Sequence, residues 1–244
     1  MHSLSYLIVV LLTVVHLGGC KEPPRNDGNV LAERTVESTG RTKIVGEIWV
    51  DNWFSLAVNG AALIEDSVPF KTERSFNAER VTFNADFPLT LAFEFRYFIQ
   101  NDTGLEYIGS HRQQMGDGGA IAQFTLAETG AVIKVTDSSW RCHVIQHAPI
   151  DPACAREREP SIGQGKCQAK ISQPPAGWKA PGFDDSSWRP ATEHSTSEVG
   201  PKGGYVEISW KQAARLIWGE DLKRDKNQMI LCVHLCDGIV AGWY

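Results

Sequence analysis

The sequence lacks any stretch in which charge of one sign accumulates. Its 24 Lys and Arg residues and 29 Asp and Glu residues are interspersed, and the formal net charge is -5. Even the densest charged stretch, residues 156–159, alternates in sign. A nucleic-acid-binding domain usually carries a basic patch or stripe. The sequence therefore predicts no nucleic-acid partner.

The sequence also lacks the common catalytic motifs. It contains no G-x-S-x-G, H-E-x-x-H, Walker-loop or G-x-G-x-x-G pattern. The adjacent acidic residues Asp184-Asp185 and Glu220-Asp221 are more typical of turn caps than of the two carboxylates that flank a glycosidic bond. We therefore predict that the protein is not an enzyme.

Hydrophobic runs long enough to span a bilayer are absent. The apolar segment Leu7–Val15 is too short for a membrane helix but has the length of a signal-peptide core. It leads to Leu17-Gly18-Gly19-Cys20, which resembles the bacterial lipobox. The resemblance implies a signal peptide over residues 1–19, a lipid on Cys20, and attachment of the domain to a membrane of the bacterial cell envelope, outside the cytoplasm. A plain cleaved signal peptide is the alternative.

Residues 20–42 are polar and broken by Pro-Pro and Asp-Gly, which predicts a flexible tether. The folded domain is accordingly expected over residues 43–244.

An exported protein meets an oxidising compartment, so its cysteines are expected in disulfides. Five of the six cysteines follow Cys20, which leaves one thiol unpaired. Cys232 and Cys236 lie on one predicted strand, about 13 Å apart, and are too distant to pair with each other. Cys154 and Cys167 make the simplest pair, and Cys142 could pair with Cys232 or Cys236.

A metal site is the alternative for these cysteines. The candidates form two groups, Cys142, His143, His147 and Cys154 in one, and Cys232, His234 and Cys236 in the other. A straight strand cannot bring positions i, i+2 and i+4 onto one ion, and the spacing in the first group matches no common zinc motif. We therefore predict no metal site.

Short runs with β-strand character dominate the chain. The segment from Thr90 to Gln100 alternates, with one apolar face for a core and a second face that is mostly polar. Asn59-Gly60 is a strong hairpin signal. Residues 204–210 read as a further strand, residues 211–218 could form a short helix, and residues 147–182 read as a proline-rich loop insert. The pattern predicts an all-β protein, an antiparallel β-sandwich.

Four segments resemble galactose-binding-like jelly-roll domains, including sugar-binding accessory domains of glycoside hydrolases. They are VDNWFSLAVNGAAL, FNADFPLTLAFEFRYF, GGAIAQFTL with AVIKVTDSSW, and PGFDDSSWRPA. The resemblance implies a jelly-roll sandwich over residues 44–140 and 178–240. Because this fold hosts many functions, it indicates the ligand only weakly.

Carbohydrate is the ligand class that the resemblance implies. Trp178 lies between Gly177 and a Lys-Ala-Pro sequence, so we expect an exposed ring that could stack on a pyranose. Asn52, Arg96 and His111 could supply polar contacts to the sugar. No cofactor is expected, although a structural Ca²⁺ ion, common in this fold, could use Asp117 or the pair Asp184 and Asp185.

The core Asp-Ser-Ser-Trp-Arg occurs twice, at residues 137–141 and 185–189. The flanking residues differ, which argues against an internal repeat. An Asp before two serines can form a turn through its carboxylate, and the Trp that follows can fill an apolar space. We therefore predict that Asp137 and Asp185 build turns and that Trp140 and Trp188 are structural.

Taken together, these features predict an exported, membrane-anchored lipoprotein with a non-catalytic sandwich that binds carbohydrate. The alternative is a structural or protein-interaction lipoprotein without a sugar site.

Overall fold

The computed structural model describes residues 31–225 and the backbone of residues 230–236. Cys20 and the predicted signal peptide lie outside the described residues. The strands are β1 (Leu31–Thr35), β2 (Thr42–Asp51), β3 (Trp53–Val58), β4 (Ala61–Glu65), β5 (Ala78–Ala85), β6 (Leu89–Arg96), β7 (Leu105–Glu106), β8 (Gln114–Met115), β9 (Gly119–Leu126), β10 (Val132–Val135), β11 (Arg141–Val144), β12 (Gln146–His147), β13 (Lys170–Ile171), β14 (Arg189–Pro190), β15 (Thr192–His194), β16 (Leu216–Trp218) and β17 (Ile230–Cys236).

Helices are short. One turn of α-helix, α1, covers Thr196–Val199, and 3₁₀ helices cover Pro152–Arg156 and Tyr205–Glu207. Among the described residues, none of the helices has the length and hydrophobicity that a membrane span requires.

Two large sheets form the framework. The first has the strand order β1-β5-β2-β9-β16-β15, with β10 also paired to β9, and only its β1–β5 pairing is parallel within the described chain. The second has the order β14-β11-β17-β6-β3-β4 and is antiparallel. The predicted all-β sandwich is therefore confirmed, as a mixed sheet packed against an antiparallel one.

Aromatic side chains fill the space between the sheets. Phe93 of β6 lies in the middle of this core, with ring centroids 4.9 Å from Phe95, 6.1 Å from Phe124 of the first sheet, and 5.7 Å from Trp140. Trp218 of β16 stacks on Phe95 at 6.1 Å. All five rings are buried, and such close aromatic packing contributes stability beyond the area that it removes from water.

The other face of the second sheet is also covered. Ala57, Ala92 and Ile145 pack there against Trp178 and Trp188. We call these five residues the outer cluster. It explains why the second face of β6 is buried rather than solvated, contrary to the pattern-based expectation. The two alanines leave room for the two large indoles.

The folded domain begins before residue 43. β1 pairs with β5, the Val36 N–H donates to the Thr82 carbonyl at 2.9 Å, and the Ser38 hydroxyl donates to the Asn84 carbonyl at 3.0 Å. Residues 31–42 are therefore an edge of the first sheet, and the predicted tether is shorter by these residues. Backbone groups supply most of the contacts, so this edge needs no apolar periodicity and left no signal in the sequence.

Two local predictions were wrong. Residues 211–218 contain a turn and strand β16 instead of a helix, because Leu216–Trp218 pair with β15 and β9. The segment that follows Gly204 forms a 3₁₀ helix instead of a strand. Gly204 has φ 84°, and the Trp210 indole N–H donates to the Tyr205 carbonyl at 2.9 Å, which closes a local turn that packs on Trp49 of the first sheet instead of extending as a strand.

The twin motif builds two similar turns. The Trp140 N–H donates to the Asp137 carbonyl at 3.2 Å, and the Trp188 N–H donates to the Asp185 carbonyl at 2.8 Å. The carboxylates differ. Asp137 accepts from the Ser139 N–H at 2.9 Å, whereas in the second copy Asp184 accepts from a serine N–H, at 3.0 Å. The predicted backbone turns are confirmed in both copies. In the second copy the carboxylate that accepts the serine N–H is that of Asp184, not that of Asp185 as expected.

Both tryptophans of the motif are structural. Trp140 is fully buried in the core, and its indole N–H donates to the Val135 carbonyl at 2.8 Å. Trp188 is 6% exposed within the outer cluster.

Trp140→Ala and Trp188→Ala should each lower the free energy of unfolding by about 3–5 kcal/mol, because each leaves a large cavity in packed apolar surroundings. Thermal and urea denaturation measure this loss. Val206→Ala, at a side chain that is 84% exposed, is the control and should be nearly neutral. A Trp variant that unfolds like the wild type would refute its structural role.

A buried carboxyl, Asp66, lies where β4 ends. Its Oδ1 accepts from the Val68 N–H at 2.8 Å, and its Oδ2 is buried without a hydrogen-bond partner among the described residues. The nearby Glu79 carboxylate is also buried and pairs with Arg34 at 2.9 Å. Burial, reinforced by the charge of Glu79, raises the pKa of Asp66 to about 8.

This raised pKa links folding to pH. Between about pH 4 and pH 8 the folded protein retains a proton on Asp66 that the unfolded chain releases. The stability contributed by this proton is fully present below about pH 4 and is lost as the pH rises through about 8.

Asp66→Asn should remove this dependence and keep the acceptor for Val68. The free energy of unfolding of Asp66→Asn minus that of the wild type should therefore increase by about 2–4 kcal/mol between roughly pH 5 and pH 8.5. Urea unfolding at each pH measures this difference. Asp86→Asn, at a half-exposed carboxylate paired with Arg41, is the control and should show no widening. Parallel stability curves for Asp66→Asn and the wild type would contradict the assignment.

Candidate functional site

A cleft of about 620 Å³ lies beside the edge of the second sheet. Its lining comes from β11, β14, the β12–β13 pair and residues 218–225. Pockets of about 300–1,000 Å³ are typical of small-ligand sites. Because polar and aromatic side chains converge there, this cleft is the candidate site.

A carboxylate–imidazole pair lies in the cleft. His147 Nδ1 is 2.6 Å from Asp225 Oδ1, and the side-chain exposures are 39% for His147 and 5% for Asp225. A buried carboxylate that holds one nitrogen of a half-exposed imidazole orients the ring and fixes its tautomer. The pair is therefore a preorganised polar group in the cleft wall.

Neighbouring contacts hold this pair in place. Asp225 Oδ2 accepts from the Asp221 N–H at 2.9 Å, and the Asp225 carbonyl accepts from the Trp218 indole N–H at 2.8 Å. The Ala148 N–H donates to the Arg224 carbonyl at 2.9 Å, which joins the strand of His147 to the loop of Asp225. Gly219 is required beside them, because a Cβ there would lie 2.1 Å from Asp225 Oδ2.

A stacked aromatic wall forms another side of the cleft. The His143 ring lies 5.4 Å from the Trp188 ring with an interplanar angle of 24°, and Phe183 contacts Trp188 at 5.3 Å. Burial, together with the charge of His147, lowers the pKa of His143. Trp188 is thus packed on both sides, and His143 is the ring at the surface of this wall.

The rim of the cleft carries balanced charge. Arg189 pairs with Glu220, and Arg224 lies 3.5 Å from Asp221. A second basin of about 610 Å³ shares Asp221 and Arg224 with the cleft and adds Arg156, Lys223 and Asp117 among others. The loop at residues 219–225 therefore separates two polar depressions.

Two of the sequence-predicted sugar contacts are neighbours at the sheet junction. Asn52 is fully buried, its N–H donates to the Arg96 carbonyl at 3.0 Å, and its Oδ1 accepts from the Phe98 N–H at 2.7 Å. The Arg96 guanidinium lies 4.8 Å from the Trp53 ring centroid and pairs with Glu94. Through these hydrogen bonds the buried Asn52 holds the link between β2 and β3 to residues 96 and 98, and a sugar cannot reach it.

The other two candidates lie elsewhere. His111 is an exposed loop residue. Trp178 is only 6% exposed, so the expectation of an exposed stacking ring was wrong. The small alanines of the outer cluster accept its indole. Within residues 31–225, no hydrogen bond, ion pair or ring contact joins His111 or Trp178 to Asn52 or Arg96, and none of the four lines the cleft.

The acidic residues considered as Ca²⁺ ligands have different structural roles. Asp184 caps the turn described above, and hydrogen bonds from Ser186 lower its pKa. Asp117 lines the second basin, away from Asp184 and Asp185 in sequence and surroundings. In the described part of the chain, no three His, Cys, Asp or Glu side chains are arranged to hold a metal ion.

The disulfide prediction is confirmed for Cys154 and Cys167, whose Cα atoms lie 4.8 Å apart. It closes the loop insert next to buried Leu105. Cys142 is also disulfide-bonded, and Cys232 lies directly opposite it in the β11–β17 register. Cys142 contributes to the lining of the cleft, so this register also fixes one wall of the site.

Comparison with known proteins adds no relative: no protein-family model matches the chain, and no curated protein or solved structure matches it significantly. The site therefore has to be interpreted from its own geometry. Sequence reasoning considered His143 and His147 only as metal ligands and missed Asp225 altogether. The pairing depends on the sheet topology, and a motif scan carries no signal for it.

Proposed function

We propose that this chain is an exported, lipid-anchored, non-catalytic binding protein that takes up carbohydrate in the cleft beside β11 and β14. The proposal includes a galactose-binding-like jelly-roll relationship, which the four segments quoted above support. The observation that carries the binding function is the combination of the aromatic wall, His143 with Trp188, and the oriented pair of His147 and Asp225.

This combination suits a sugar. Carbohydrate sites combine an apolar ring surface, against which the C–H face of a pyranose packs, with fixed polar groups that bind hydroxyls. The cleft supplies both within about 620 Å³. The proposed sugar site differs from the one expected around Trp178, because the Trp178 indole is buried in the outer cluster.

The disulfides support export. Bonded cysteines, such as Cys154 with Cys167, persist in oxidising compartments and are rare in the cytosol. The ten residues between Cys20 and Leu31 could extend at most about 35 Å. A lipid on Cys20 would therefore keep Leu31, where the described domain begins, within about this distance of the membrane surface.

Lipid attachment is tested by Cys20→Ala. The variant should lose the palmitate label and either enter the soluble fraction or persist as an uncleaved precursor, because the acyl chains that anchor bacterial lipoproteins need the cysteine thiol and its new N-terminus. Cell fractionation and metabolic labelling with a palmitate analogue measure this. Cys236→Ala is a matched control and should remain labelled. Equal labelling of Cys20→Ala and the wild type would refute lipidation.

Carbohydrate binding is tested with the detergent-solubilised full-length chain on a glycan array. The array should carry neutral oligosaccharides and their uronate counterparts. We expect binding to a subset of the neutral glycans. Failure to bind any glycan on the array, neutral or uronate, would contradict the proposed function and favour a structural or protein-interaction lipoprotein.

A further inference from the structure

We propose that His147 Nε2 is the hydrogen-bond acceptor for a hydroxyl of the bound ligand, and that the ligand is a neutral glycan. The inference deepens the proposed function and rests on it. It assigns the orienting contact of the cleft.

The tautomer of His147 follows from its partner. An ionised carboxylate has only lone pairs, so Nδ1 must carry the hydrogen in the contact of 2.6 Å with Asp225. In the neutral ring Nε2 is then an acceptor. A sugar hydroxyl is a donor that fits this lone pair, whereas a carboxylate or phosphate oxygen does not.

The acceptor is accessible. The His147 side chain is 39% exposed and lines the cleft. Within the described residues no group donates to Nε2. The Asp225 carboxylate accepts from the Asp221 N–H and lies against Gly219, so the partner of His147 Nδ1 is fixed in place.

The charge of the cleft favours a neutral ligand. Three cationic side chains line it and three acidic ones oppose them: Lys170, Arg189 and Arg224 against Glu220, Asp221 and Asp225. Ion pairs engage four of these six, Arg189 with Glu220 and Arg224 with Asp221. The rim therefore has little net charge with which to hold an anion.

Two substitutions of His147 distinguish the role of Nδ1 from that of Nε2. His147→Asn keeps an N–H that can reach Asp225 and removes the group at Nε2. His147→Gln places an amide oxygen near the Nε2 position, so an acceptor remains there. His111→Gln, at an exposed loop histidine, is the matched control. Thermal melts establish that each variant is folded.

Affinity is measured by calorimetry with the full-length chain in detergent. The probe is the neutral oligosaccharide that binds most strongly on the array at about pH 7.5, compared with its uronate counterpart. His147→Asn should bind about tenfold more weakly than the wild type at this pH.

His147→Gln is the decisive variant, because its amide oxygen keeps an acceptor near the Nε2 position and it should therefore retain binding. His111→Gln should behave like the wild type. Glycan binding that is indifferent to both His147 substitutions would overturn the inference and leave the proposed function standing. The inference also fails if His147→Gln binds as weakly as His147→Asn or if the uronate probe binds more tightly. No glycan binding at all would overturn both proposals.

Discussion

The packing of Trp188 against the outer face of the second sheet is the contact on which the candidate site depends. Ala57 and Ala92 make a shallow surface there, and the Trp188 indole covers it together with Trp178. Once Trp188 is fixed, His143 stacks on its exposed side and β14 pairs with β11. The aromatic wall and one edge of the cleft therefore follow from a hydrophobic contact that itself has no ligand-binding role.

The large features of this fold were predictable because they rest on local periodicity. Alternation in β6 indicated a buried face, and the repeated Asp-Ser-Ser-Trp core indicated turns that are each followed by a buried tryptophan. Cys154 and Cys167 could be paired because the segment between them is short and rich in turns. In each case the signal and the structure span the same few residues.

The candidate site was not predictable in this way. His147 and Asp225 are far apart in sequence, and the hydrogen bond from the Ala148 N–H to the Arg224 carbonyl helps to bring their segments together. Trp178 was misjudged for a related reason. Its Pro-Gly surroundings indicate a loop, but a loop residue can be buried when a sheet face offers small side chains such as Ala57. Tertiary packing decided both outcomes.

The central claim is that Asp225 fixes the tautomer of His147 so that Nε2 accepts from a neutral glycan. Long-range ¹H–¹⁵N correlation on the ¹⁵N-histidine-labelled chain tests it most directly, with His147→Asn to assign the resonances. At about pH 7.5 the account predicts protonated Nδ1, unprotonated Nε2, and a glycan-induced shift that is largest at Nε2. A ring protonated at Nε2 and bare at Nδ1, or a glycan response confined to other histidines, would contradict it.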